Sequence, residues 1–152
     1  MYTLDANIFV RDLDTREPQH AECHALLDEL QAQALPIVVP VLVLAEVAGT
    51  VSRTRRDPMA GRLAADLLRG IGNLTLIPMD DSLAQEVAEL AADYALRGAD
   101  ATYVAVARRH NCTLVSLDRE QRDRSAAIVT TRTPAETLSE LRPPPASDVE
   151  TG

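Results

Sequence analysis

The sequence predicts an α/β fold in which a central parallel sheet of about five short strands is flanked by helices. Short β-branched runs alternate with longer stretches whose apolar residues recur at helical spacing. The runs are apolar enough to be buried on both faces, and no Asn-Gly or similar hairpin signal joins two of them, so consecutive strands need helical crossovers. With 152 residues, 46% hydrophobic and 25% charged, the composition is that of one globular domain.

Tyr2 to Leu4 reads as the first strand, and His20 to Gln33 as a helix. Ile37 to Val39 is the second strand, followed by a helix from Val41 to Arg55. Pro58 suits the first turn of a helix reaching Ile71. After a third strand, Leu74 to Ile77, Ser82 with Gln85 forms a capping box for a helix to Leu96, and Gly98 can close it. Val87, Leu90, Ala91 and Tyr94 give that helix an apolar stripe that predicts a core face. Asp100 opens a helix to His110, with Tyr103, Val104 and Ala107 on its buried side. Thr113 to Val115 and Ile128 to Thr130 are the last strands, and Pro134 to Leu141 the last helix. One domain over 1–141 is expected, with 142–152 a disordered Pro-rich tail too poor in apolar residues to pack.

All 15 basic residues are Arg, against 23 acids. A chain without Lys has no P-loop, no Schiff-base or pyridoxal chemistry and no kinase-type ATP site. A net charge of −8 argues against generic nucleic-acid binding, which depends on neutralising phosphates. No basic leader precedes an apolar segment and no window is apolar enough to span a membrane, so a cytoplasmic protein is expected. Cys23 and Cys112 form no C-x-x-C pair and read as two buried thiols in a reducing compartment.

In open parallel sheets ligands collect outside the carboxyl ends of the strands. Asp5 ends the first strand, Asp118 follows the fourth, and Asp100 stands at a helix start that must lie against the sheet. Each of the three also stands where an N-cap could be, and a single Asp at a helix start is more often a cap than a ligand. Glu46 has no such excuse: it interrupts the apolar run Val41-Leu-Val-Leu-Ala-Glu46-Val-Ala, where an uncompensated carboxylate is costly. Its alternatives are a surface position or a pair with Arg53 or Arg56. Asn7 could form a local Asx turn and Ser116 a local strand hydrogen bond.

Leu4-Asp5-Ala6-Asn7, Glu46 in an apolar helix about forty residues on, Gly98-Ala-Asp100-Ala-x-x-Val-Ala-x-Ala and Val115-Ser-Leu-Asp118 together resemble the PIN-domain nucleases. Within that family the chain looks like the VapC-type toxins of bacterial toxin–antitoxin pairs, from about Met1 to Leu141. The resemblance implies a three-layer PIN-like fold and a cluster of acids that binds Mg²⁺ or Mn²⁺ and cleaves RNA. Asp5, Glu46, Asp100 and Asp118 fall on the family's acidic positions, Asn7 on the small polar position after the first acid, and Ser116 on the Ser/Thr before the last. It also implies a cognate antitoxin and a homodimer. The chain departs from many relatives after Asp118, where Arg119-Glu120-Gln121 keeps an acid but no aromatic.

Positive charge is concentrated in residues 53–72 and 108–132, which place Arg53, Arg56 and Arg119 as candidate RNA-backbone contacts beside the acids. Each could instead be a solvated or salt-bridged surface residue. His20 and His24 stand at i, i+4, a spacing that can bind zinc but here lacks further ligands. Two rivals remain: a non-catalytic PIN-like RNA- or protein-binding module whose acids only cap helices, and an aspartyl-nucleophile phosphohydrolase. The second lacks both the Asp-x-Asp loop and the Lys it needs.

Overall fold

The computed structural model describes residues 1–142, so Pro143 to Gly152 of the expected tail lie outside the described residues. Five strands, β1 (Tyr2–Leu4), β2 (Ile37–Pro40), β3 (Leu74–Ile77), β4 (Thr113–Val115) and β5 (Thr131–Arg132), form one parallel sheet in the order β3-β2-β1-β4-β5. Eight helices flank it among the described residues: α1 (Ala6–Asp12), α2 (His20–Ala32), α3 (Leu42–Arg55), α4 (Pro58–Arg69), α5 (Asp81–Tyr94), α6 (Gly98–Arg109), α7 (Arg119–Ser125) and α8 (Pro134–Leu141).

The order matters for the site. The chain builds outward from β1 through β2 to β3, then returns to add β4 and β5 on the other side of β1. The reversal falls between β1 and β4, the switch point outside whose carboxyl ends ligands bind in open α/β sheets. Tyr2, Thr3 and Leu4 stand opposite Thr113, Leu114 and Val115, so Asp5 and the segment after Val115 leave the sheet side by side.

Burial fixes this frame. Leu4, Val39, Leu114 and Val115 are fully buried in the sheet, and Leu26 and Leu30 of α2 are equally inaccessible. Helix α6 lies against β1, β2 and β4 and is buried at every position from Ala101 to Ala107. Helices α3 and α4 pack closely because Gly61 has no side chain: a Cβ there would stand 2.4 Å from the Ala48 carbonyl oxygen. Cys23 and Cys112 are buried free thiols.

The structure departs from the sequence expectations at element ends. Helices α1 and α7 are additions that hydrophobic periodicity does not signal. Helix α5 is capped by Asp80, whose carboxylate accepts from the Leu83 amide at 2.7 Å, rather than by Ser82. It ends on Ala95 in the left-handed region, and Gly98 instead opens α6 with an ordinary φ. The last strand falls at Thr131–Arg132 because those residues pair with Leu114 and Val115, while the Ile128 and Val129 amides are drawn to the Ser125 carbonyl at the end of α7. The capping box that does form is Thr133 with Glu136, at the start of α8. On α5, Val87 and Leu90 are buried as expected, whereas Tyr94 is 38% exposed.

Candidate active site

Asp5 follows β1 directly. Its amide donates to the Val115 carbonyl at 3.0 Å, extending the β1–β4 pairing by one residue. It occupies the N-cap position of α1, yet its carboxylate makes no capping bond, and it is only 8% exposed. A cap does not explain it. Asp100 also fails as a cap, since α6 begins two residues earlier and places Asp100 in its first turn. Asp118 does cap: its Oδ1 accepts from the Gln121 amide at 3.2 Å and so opens α7.

Glu46 sits on α3, half-buried, with neither Arg53 nor Arg56 as partner. Its Oε1 accepts a hydrogen bond from the Tyr103 hydroxyl at 2.9 Å. Tyr103 is fully buried, so one side chain of α6 fills the core with its ring and holds an acid of α3 with its oxygen. The sequence places Tyr103 in the core but does not assign the hydroxyl a partner. A lone phenol among Ala and Val is the available signal.

Asn7 and Ser116 stitch the two strand exits together. Asn7 Nδ2 donates to Ser116 Oγ at 3.4 Å, Asn7 Oδ1 accepts from the Leu117 amide at 3.4 Å, and Ser116 Oγ accepts from the Asp118 amide at 3.0 Å. They hold the backbone that carries Asp118 rather than its carboxylate. Arg122 adds a 2.6 Å hydrogen bond to the Ser116 carbonyl.

The acids feel one another. Burial first, then the charges of Glu46 and Asp100, push the Asp5 carboxyl up to about 7, against the opposing pull of the Ala6 and Asn7 amides. Glu46 is raised by burial and by Asp100, while its bond from Tyr103 acts the other way. Asp100 is raised by burial, with Arg97 opposing and Asp118 and Glu120 adding. Burial, Glu46 and Asp5 in turn hold the Tyr103 hydroxyl protonated, which keeps it a donor.

A cleft of about 400 Å³ opens over Asp5, Asn7, Arg11, Glu46, Thr50 and Asp100. Asp118 does not line it; it joins the group through Arg97, whose guanidinium lies 3.6 Å from Asp100 and 3.9 Å from Asp118. Arg97 is a further residue that the sequence reading does not single out, although it stands directly before the Gly98-Ala-Asp100 segment. Arg53 donates to the Thr50 hydroxyl at 3.3 Å, on the rim of the cleft. Arg56 is exposed at the left-handed C-cap of α3, and Arg119 is exposed and pairs with Asp123 at 3.5 Å.

The donor set is all carboxylate oxygen, the chemistry that suits Mg²⁺ or Mn²⁺ rather than zinc. Among the described residues no three His, Cys, Asp or Glu close a cage on their own. Mg²⁺ keeps most of its waters and takes one or two carboxylates, so an open set of mutually repelling acids fits it. His20 and His24 stack at 5.5 Å, and His24 bonds Asp12 at 2.7 Å; they belong to a link between α1 and α2.

Residues 2–127 match the PIN domain family. Among curated proteins none matches the chain. Solved structures with a similar fold include VapBC2 from Rickettsia felis bound to a promoter DNA fragment, at TM-score 0.66 and 19% identity, covering 87% of this chain and 97% of that one. A toxin–antitoxin complex from Klebsiella pneumoniae gives 0.62 and 20% over 88% and 98%. VapC20 of Mycobacterium tuberculosis, a sarcin–ricin loop cleaving toxin, gives 0.67 and 19% over 84% and 95%. At these identities the likeness is one of fold.

Proposed function

The chain belongs to the PIN domain family, and on that premise we propose that it is a Mg²⁺- or Mn²⁺-dependent endoribonuclease, the toxin of a VapC-like toxin–antitoxin pair. The observation that carries the reading is the convergence of Asp5, Glu46 and Asp100, from three separate elements, on one cleft at the switch point of the sheet. Neighbours that are VapC toxins or toxin–antitoxin complexes support it.

Asp5 and Asp100 would hold the principal cation, with Glu46 and Asp118 contributing through water or a second ion. Such a cation supplies positive charge for the phosphate oxygens and acidifies water for in-line attack on the phosphodiester. The remaining work falls to the chain. Tyr103 fixes Glu46, leaving its second oxygen for the cleft. Asn7 and Ser116 fix the segment before Asp118. Burial of Asp5 excludes water on its sheet side, which strengthens any charge interaction made there. Arg53, Arg56 and Arg119 stay in the proposal as contacts for the RNA backbone.

Supporting a protein partner, Met59, Leu63 and Leu67 are 55%, 55% and 61% exposed at four-residue spacing on α4, an apolar stripe of the kind that marks an interface. The proposal includes a cognate antitoxin, a homodimer and a single domain over 1–141. It also includes a cytoplasmic location; no helix of the described residues is long and apolar enough to cross a membrane.

The test is cleavage of RNA by Asp5→Ala and Asp100→Asn chains. Each should lose activity at least 100-fold while keeping the wild-type circular dichroism spectrum; full ion-dependent activity in both would remove the acids from the mechanism. A scaffold whose acids only cap helices would show no thermal stabilisation by Mg²⁺ or Mn²⁺.

A further inference from the structure

Four carboxylates repel a phosphate, and any cation bound among them offsets only part of that charge. A polyanionic substrate needs a positive group beside the acids that is not already spent. Three other guanidinium groups in this region are spent, while the exposed Arg53 and Arg119 are held by neighbours on their own helices, Thr50 at 3.3 Å and Asp123 at 3.5 Å, rather than by the clustered acids. Arg11 pairs with Glu17, Arg122 donates to the Ser116 carbonyl at 2.6 Å, and Arg124 pairs with Glu120 at 2.5 Å and donates to the Ala95 carbonyl. Arg97 differs. Its Nε lies 3.6 Å from Asp100 and its Nη2 lies 3.9 Å from Asp118, beyond the 2.7–2.9 Å of a charge-assisted hydrogen bond. Its side chain is 77% exposed.

The backbone beneath it is fixed on both sides. Leu96 is 7% exposed and its amide bonds the Ala91 carbonyl, while Thr102 Oγ1 bonds the Gly98 carbonyl at 2.7 Å and ties down the first turn of α6. Arg97 occupies the N-cap position of that helix without making a side-chain cap bond. The result is a loosely paired guanidinium on a rigid base, between two of the acids.

We propose that Arg97 is a substrate-phosphate contact beside the acids of this site, its guanidinium turning from Asp100 and Asp118 to grip the non-bridging oxygens of an RNA phosphate. This rests on the nuclease reading and adds a substrate-touching residue to it. Solvated ion pairs of this length contribute little, so little is lost on release. A bidentate Arg–phosphate pair is the stronger interaction. Positive charge arriving on the acids competes with Arg97 for them and favours the turn.

The test measures binding of a fluorescein-labelled, mixed-sequence single-stranded RNA by anisotropy over a range of salt concentrations, in Asp5→Asn chains that cannot cleave it. Adding Arg97→Ala should weaken binding about 5- to 10-fold. It should also flatten the slope of log K against log salt by about 0.7, the loss of one phosphate contact on a single strand. Arg97→Lys should recover part of the affinity, and Mn²⁺ should still raise the melting temperature of a chain carrying Arg97→Ala alone, with Asp5 intact. A wild-type chain that cleaves RNA, with unchanged affinity and salt slope in the Arg97→Ala chain, overturns this inference and leaves the nuclease reading standing. A wild-type chain that neither binds nor cleaves RNA overturns both.

Discussion

Asp5 concentrates the electrostatic cost of the site in one residue. Its carboxyl, held near 7 against about 3.9 in an unfolded chain, binds its proton more tightly when folded. The stability this gives is fully present below about pH 3.9 and is lost as pH rises through about 7. In EDTA the wild-type chain should therefore lose stability between pH 4 and 8. Asp5→Asn should remove most of that slope and raise stability at pH 8 by on the order of 2–4 kcal/mol, read by thermal melts. A parallel pH dependence in both chains would contradict this. A residue that destabilises the protein without its ligand is the kind that sequence rules miss in part. Glu46 stands out from the sequence because nothing structural explains an acid in its apolar run, whereas Asp5 reads as an N-cap until its burial and missing cap bond are seen. The Tyr103 hydroxyl and the Arg97 guanidinium do not stand out, because their meaning depends on α6 lying across α3 and on the turn of chain between α5 and α6.

At the scale of elements, two contacts can be tested. Gly61→Ala puts a Cβ 2.4 Å from the Ala48 carbonyl oxygen, so α4 must move off α3; the expected cost is about 1–3 kcal/mol, and a melt unchanged from wild type would refute the close approach. Helices α1 and α2 are joined by His24, whose pKa is raised by the hydrogen bond it donates to Asp12 and then by the charges of Asp28 and Asp12. That link is at full strength below about pH 6.5 and is lost as pH rises through His24's higher folded value. His24→Gln should reduce the loss of melting temperature between pH 6 and 8, and the His24 ring should titrate above 6.5 by NMR. Strands β1, β3 and β4 and helix α8 are legible to the residue because apolar runs and Pro fix their limits. Helix α7 is not: Arg-Glu-Gln-Arg-Asp-Arg-Ser has no apolar stripe, and its buried face is Gln121 and Ser125. Helix α1 is one short stretch that follows β1 directly, too brief to show a helical apolar stripe, so the Asp5 at its N-cap position is the one sign of its start.

Over the whole molecule, a net charge of −8 and the proposed phosphodiester substrate are reconciled by where the charges stand. The parallel order places Asp5 and Asp118 at adjacent strand exits, and α3 and α6 bring Glu46 and Asp100 to the same end of the sheet. Positive charge for a phosphate must then come from a divalent ion and from Arg, since the chain has no Lys. The parallel sheet and its acids can be read from the sequence because strand ends and helix starts are local; the shape of the cleft, which depends on how four elements meet, cannot. The most direct measurement is cleavage of a labelled RNA by purified wild-type chain in EDTA, then with 5–10 mM Mg²⁺ or about 1 mM Mn²⁺, concentrations on the order of those at which weakly held ions fill open carboxylate sites. Cleavage that is absent in EDTA, restored by either ion and missing from Asp5→Asn and Asp100→Asn agrees with the account; cleavage unaffected by EDTA, or none with either ion, contradicts it.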